Sequence, residues 1–318
     1  MTNQHPPATL PPRLTVILTV GPQRDRGQRT LDALGLQTLR EMEVVLIDIE
    51  PDAVPMRYPP GIVIHEMRAR PASGQAESRM TGIGRAQSPV VAFIEDHSVV
   101  SPGWAEAVAA AFESGPWGVV GYTFANANPK RWLARACHAA IYGPWMAPGG
   151  DREVRDVAGN NLAFRLDILR ALGHLLPRMI FPDSLLRQYL LSQGERFFVA
   201  GSAVCTHEIP QHIGFIVATS HSHGRIMAAR RVEIGQWGWP RRLLYAAGVP
   251  LGAPVLRLGR LLVGVAAYPS RWSAILQGLP IALVIFVSGA IGESQGYLTG
   301  AGRSAEIYED YELKLGRS

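Results

Sequence analysis

Cysteine is nearly absent. The 318 residues hold two, Cys137 and Cys205, far apart in the chain. This excludes a disulfide framework and zinc-finger spacing, and it points to a reducing compartment. No secretory leader pattern opens the chain: Met1 to Pro12 is polar and proline-rich, without an apolar stretch, and reads as a loose tail. Several chemistry-bearing motifs are missing too. There is no P-loop, no Gly-x-Ser-x-Gly elbow and no His-Glu-x-x-His. Gly82-Ile83-Gly84 lacks a third glycine and a preceding strand, which removes a dinucleotide fingerprint. No internal repeat is present. Disorder is excluded as well, because a hydrophobic content of 47% can fill a sizeable core.

What is present is unevenly placed. The formal charge is +5, and from Arg225 to Arg271 eight arginines face one acid, Glu233. Such a stretch suits nucleic acid or an anionic membrane face. Here it abuts apolar sequence, so the membrane is the expected partner and nucleic acid is not. Trp272 to Gly292 is a run of 21 residues without a charge, long enough for a spanning helix. Leu243 to Tyr268 is apolar but interrupted by Pro250, Pro254, Arg257 and Arg260, as in an interfacial helix with snorkelling arginines. A buried core helix pair is the alternative. The flanking arginines place the N-terminal domain in the cytosol by the positive-inside rule.

Before these segments, strands alternate with helices. Leu14–Val20, Glu43–Asp48, Gly61–His65, Pro89–Glu95, Val119–Phe124 and Arg196–Val204 read as strands. Arg24–Gln37, Ala72–Gln87, a helix starting at Ser101-Pro102 and Asp183–Gln193 read as helices. The pattern predicts an α/β fold with a mainly parallel sheet. In such sheets ligands bind outside the carboxyl ends of the strands, so polar residues there are the candidates. Glu95-Asp96-His97 ends a continuous apolar strand with three side chains able to hold a divalent cation, Mn²⁺ or Mg²⁺, or to cap the strand. Asp48 ends another strand and belongs to the same edge. Asp183 opens a helix as an N-cap and is also a candidate general base. His207 follows the last strand and could complete a metal site.

In order, these pieces resemble the family 2 glycosyltransferases of the GT-A fold over roughly Leu14 to His207. Leu14–Val20 resembles the family's first strand, Leu31 to Thr38 its first helix end, and Glu43–Asp48 its second strand. Glu77-Ser78-Arg79-Met80 to Ala86 resembles the following helix. Phe93 to His97 stands where the family has Asp-x-Asp, with Pro102-Gly103-Trp104 after it. Gly159-Asn160-Asn161 through Arg165 resembles the acceptor-side segment, and Pro182-Asp183 through Gly194 the helix carrying the base. The sequence departs from the family at His97 in the last Asp-x-Asp position, at Met80 in place of Asn, and at Pro182 in place of Glu. The processive signature Gln-x-x-Arg-Trp is missing.

The resemblance implies a nucleotide-diphosphate sugar donor and an inverting transfer to a hydroxyl acceptor, a lipid-linked or cell-surface glycan. Asp183 is implied as the catalytic base. Asp48, Arg79, Glu95, Asp96, Asn160 and Asn161 are implied to bind the nucleotide sugar, and Asp96, His97 and His207 the metal. The expected domains are a tail at 1–12, a GT-A domain at 13–224, a membrane-associated helical region at 225–300 and a tail at 301–318. The alternatives are a membrane-anchored binding or scaffold protein of the same descent that has lost catalysis, and a sugar nucleotidyltransferase, for which Gly21-Pro22-Gln23-Arg24 is a poor glycine-rich loop.

Overall fold

A computed structural model describes residues 11–50, 52–68 and 74–314. Most of the expected N-terminal tail lies outside these residues. The chain forms β1 (Leu14–Val20), α1 (Arg24–Gly35), β2 (Met42–Asp48), β3 (Val63–Arg68), α2 (Gln75–Arg85), β4 (Val90–Glu95), β5 (Ser98–Val100), α3 (Trp104–Glu113) and β6 (Trp117–Asn126). It continues through α4 (Trp132–Tyr142), β7 (Arg152–Val154), β8 (Leu162–Arg165), α5 (Leu166–Ala171), α6 (Leu176–Met179), α7 (Ser184–Ser192) and β9 (Arg196–His207). Three long helices follow, α8 (Ile213–Gly235), α9 (Trp239–Val265) and α10 (Trp272–Thr299), then α11 (Ser304–Glu309).

The described strands make one mixed sheet in the order β3-β2-β1-β4-β8-β6-β9-β5, with β7 added on β9. β3, β2, β1 and β4 are parallel, and β8 runs against β4 and β6. The central strands read as unbroken apolar runs because both faces are covered. Their side chains still alternate. Val16, Val44 and Ala92 enter one core layer, while Ile17, Val45 and Phe93 enter the opposite one.

Helix α3 starts later than its sequence suggests. Gly103 adopts a left-handed φ of +79°, so the turn from Ser101 closes before Trp104 begins the helix. Ser101-Pro102 therefore lies ahead of the helix instead of capping it. β9 also runs further than expected, through Thr206 to His207.

The boundary expected at 224/225 falls inside α8, which is continuous from Ile213 to Gly235. Helix α10 lies along it on a glycine seam. A Cβ at Gly289, Gly292 or Gly296 would meet α8 backbone at Ser220, His221 or Arg225, at 3.4, 2.0 and 2.3 Å. Small residues at this spacing let two helix backbones approach closely. The other half of α10 packs Ile275 and Ala282 with Ala139 and Ala140 of α4. Helices α9 and α10 are long and apolar enough to cross a membrane by length and composition. Leu244, Leu251, Val255, Leu256 and Val263 of α9 are exposed.

Candidate active site

Parallel pairing sets the carboxyl ends of β1, β2 and β4 on one edge. Val20 is in register with Asp48, and Thr19 with Glu95. The antiparallel β5–β9 pair aligns Ser98 with His207, and the Glu208 N–H donates to the His97 carbonyl at 3.1 Å. Residues more than a hundred positions apart are thereby brought together. His207 Nε2 lies 3.1 Å from Glu95 Oε2 and His97 Nε2 lies 3.5 Å from the same oxygen. One donor atom from each of Glu95, His97 and His207 falls within 4.8 Å of the others, and all three residues are buried.

This group passes a simple geometric test for a cation. Ligand bonds to such ions are about 2.0–2.2 Å, so two ligands of one ion stand at most about 4.3 Å apart. Both named separations are inside that limit, and the widest in the group needs a contraction of about half an ångström or less. Two imidazoles and a carboxylate suit Mn²⁺ better than Mg²⁺. Asp96, expected as a ligand, stands outside the group. Its carboxylate accepts a 2.6 Å hydrogen bond from Arg26. Burial pushes the Asp96 carboxyl up, against the pull of that guanidinium.

Arg26 and Arg24 occupy the first turn of α1, directly after β1. Arg24 grips both oxygens of Asp48 at 2.8 and 2.7 Å. Burial opposes ionisation of Asp48, but the Arg24 hydrogen bond and charge and the Glu50 N–H prevail, so its carboxyl sits below the usual range. Arg26 is buried, and its Nε and Nη1 make no hydrogen bond among the described residues. Neither arginine was picked out in the sequence, although their place after a strand end was a usable signal.

The turn before β8 carries Gly159, Asn160 and Asn161. Asn161 is fully buried and exchanges two hydrogen bonds with Glu95: its amide donates to Oε2 at 2.7 Å and its carbonyl oxygen accepts the Glu95 N–H at 2.9 Å. Asn160 is left-handed, with φ of +71°, and its N–H donates to Asp183 Oδ2 at 2.7 Å. Arg187, one helical turn on, donates to the other Asp183 oxygen at 3.3 Å. Asp183 does stand at the α7 N-terminus, but its side chain makes no cap bond to the helix. The side chain is held for the turn. Arg79 is buried on α2 and donates to the carbonyls of Asn160 and Ile180, both at 3.1 Å, with its guanidinium over the Phe93 and Phe181 rings. In this structure it braces the turn before β8 against the segment ahead of α7.

A cavity of about 300 Å³ opens here, lined by Glu95, His207, Asn160, Tyr142, His223 and Glu312 among others. Asp183 is 1% exposed. Burial and nearby arginines, Arg257 foremost, hold the His223 imidazole down to about 4. Glu312 comes from the segment after Gly300, offered by the sequence as a tail. That segment is α-helical over Ser304–Glu309, continues as a π-helix over Asp310–Lys314 and lies against the site.

Residues 25–173 match the sequence model of glycosyl transferase family 2. This segment is a family 2 glycosyltransferase domain. A mannosyltransferase from Pyrobaculum calidifontis, solved in complex with GDP-mannose and Mn²⁺, shares the GT-A fold with a TM-score of 0.53 at 17% identity, over 93% of this chain and 88% of that one. GalNAc-T7, solved with UDP, GalNAc and Mn²⁺, aligns with a TM-score of 0.45 at 12% identity, over 61% of this chain and 43% of that one. No curated protein matches the sequence. In the glycosyltransferase, Glu95-Asp96-His97 stands at the β4 edge, and β9 brings His207 to it.

Proposed function

We propose that this glycosyltransferase moves a sugar from a nucleotide-diphosphate donor to a hydroxyl acceptor by a single inverting displacement. One observation carries the reading. Adjacent residues tie the cation group to the candidate base, since Asn161 clamps Glu95 while the Asn160 N–H holds Asp183. Few structural needs would bring a three-ligand cation group and a buried carboxylate to one two-residue turn.

In this reading Asp48, oriented by Arg24, contacts the nucleotide base. Arg26 offers its two unbonded guanidinium nitrogens to the diphosphate. Glu95, His97 and His207 hold a divalent cation, with Mn²⁺ the best match to the ligand set and the ion carried by the Pyrobaculum enzyme. That ion supplies neutralisation of charge on the departing nucleoside diphosphate. Asp183 takes the proton of the acceptor hydroxyl as its oxygen attacks the anomeric carbon from the face opposite the leaving group. Asn160 and Arg187 keep the Asp183 oxygens aimed during that transfer.

The acceptor is proposed to be membrane-borne, a lipid-linked or cell-surface glycan, with the catalytic domain (13–224) on the cytoplasmic side. Helix α10 is packed on α4 and α8 over both halves, which supports a seat in the membrane interface for α9 and α10 (within 225–300). There the exposed leucines of α9 enter the acyl boundary and Arg241 and Arg260 meet anionic headgroups.

The test is release of nucleoside diphosphate from UDP-, GDP- and dTDP-sugars by the solubilised enzyme, with membrane lipid extract as acceptor and Mn²⁺ present. Acceptor-dependent release that disappears in Asp183→Asn establishes the transfer. The burial of Asp183 favours a second reading, a nucleotide-sugar binding scaffold. Binding without release from any donor would select it.

A further inference from the structure

The C-terminal segment is anchored at four points around the site. Glu309 accepts the Gln75 N–H at the start of α2 at 3.0 Å. The Tyr308 ring packs on Phe181 with centroids 5.5 Å apart. The Glu312 carbonyl accepts from Arg26 at 3.0 Å. Leu313 is buried in the core layer that also holds Ile17 and Phe93. Its backbone passes so close to Gly21 that a Cβ there would stand 2.9 Å from the Leu313 oxygen. These contacts deliver the Glu312 side chain, 5% exposed, into the cavity lined by Glu95 and His207.

There Glu312 Oε2 lies 3.9 Å from His97 Nε2, the same nitrogen that stands 3.5 Å from Glu95 Oε2. Two buried carboxylates thus converge on one imidazole nitrogen. Burying two anions together is costly unless positive charge lies between them. The 3.9 Å separation is within the about 4.3 Å that two ligands of one small divalent ion can span. Three protein ligands also leave positions open on an ion that takes about six.

We propose that Glu312 is a fourth protein ligand of the divalent cation held by Glu95, His97 and His207, so that cation binding and docking of residues 304–313 form one linked equilibrium. The inference rests on the cation reading given under the proposed function. Linkage makes it reciprocal: whatever loosens the segment weakens the ion, and the ion orders the segment. The competing arrangement is an imidazolium at His97 that bridges both carboxylates without an ion.

The experiment measures Mn²⁺ affinity by titration calorimetry, with no sugar nucleotide present, on the full solubilised chain. The variants are Glu312→Gln, Tyr308→Ala, His207→Ala and, on the exposed side of α11, Glu306→Gln. Proteolytic loss of the C-terminal segment is followed with and without Mn²⁺, and thermal melts confirm that each variant folds. The expected result is at least a tenfold loss of affinity in Glu312→Gln, a smaller loss in Tyr308→Ala and no change in Glu306→Gln. Mn²⁺ should protect the segment in the parent and not in Glu312→Gln. Parent-like affinity in Glu312→Gln together with loss in His207→Ala would overturn the inference and leave the cation reading standing. No Mn²⁺ binding by the parent would overturn both.

Discussion

Asp183 and Asn160 meet across the active-site turn, where the Asn160 N–H donates to Asp183 Oδ2 at 2.7 Å. The bond fixes a carboxylate and a left-handed asparagine against each other, φ being +71° at Asn160. Asp183→Asn keeps the volume but offers no base. Turnover should fall by about 10²–10⁴-fold, the usual contribution of general-base catalysis, with donor binding preserved. Parallel loss of donor affinity in a binding titration would show that Asp183 acts on the ground state instead.

Gly159 tests the same turn from its other side. A Cβ there would stand 2.8 Å from Asp183 Oδ1 and 3.2 Å from an Arg187 terminal nitrogen. Gly159→Ala should therefore displace the carboxylate. A shift of about 1 Å costs on the order of 10²-fold in rate. The expected signature is a drop in kcat with a far smaller change in KM, read by steady-state kinetics.

Asn161 holds Glu95 by two bonds. Asn161→Ala frees the carboxylate from its orienting partner, and loss of such support typically weakens metal affinity by about 10–100-fold. Mn²⁺ titration of the variant checks it, and unchanged affinity would remove Asn161 from the cation site.

Acid should destabilise the fold before it protonates ordinary carboxylates. Burial, foremost, holds both His138 and His223 down to about 4 from an ordinary 6.5. Between these values the unfolded chain binds more protons than the folded one. Stability is then complete above pH about 6.5 and is lost as pH falls towards 4. Urea midpoints at pH 7.5, 5.5 and 4.5 should decline in that order. His138→Gln, which retains a donor for the Phe124 carbonyl now 3.1 Å from the imidazole Nε2, should shallow the decline.

The outer face of α9 should govern membrane binding. Leu251 is 80% exposed and Leu256 64%. Glutamate at both positions should release the protein from vesicles containing anionic lipid in a flotation assay, with its melting temperature unchanged. Retention on the vesicles would place the contact elsewhere.

The strands that form the catalytic edge were legible because their apolar runs are covered on both faces, as at β1, β2 and β4. β5 and β7 were not, since three residues carry no periodicity. Asp48, Glu95, His97, Asp183 and His207 were legible by position, at strand ends or a helix start. The structure brings Glu95, His97 and His207 together and sets Asp183 one turn residue away, through Asn160. The candidate cation group was only partly readable. Asp96 and Glu95 are neighbours in sequence, yet Asp96 turns to Arg26 and to the Nδ1 of His97, at 3.0 Å, while Glu95 faces the Nε2 of both histidines. Glu312 could not be read at all, because its contact with Arg26 spans 286 positions and nothing local announces it.

The docked C-terminal segment also fixes a parity. The chain leaves the catalytic domain through α8, passes through α9 and α10, and returns to touch α2 and Arg26. Both ends of that excursion lie on one side of any bilayer. The number of crossings between Gly235 and Ser304 is therefore zero or two, never one, and a reporter fused after Ser318 should face the same compartment as the sugar-nucleotide pool.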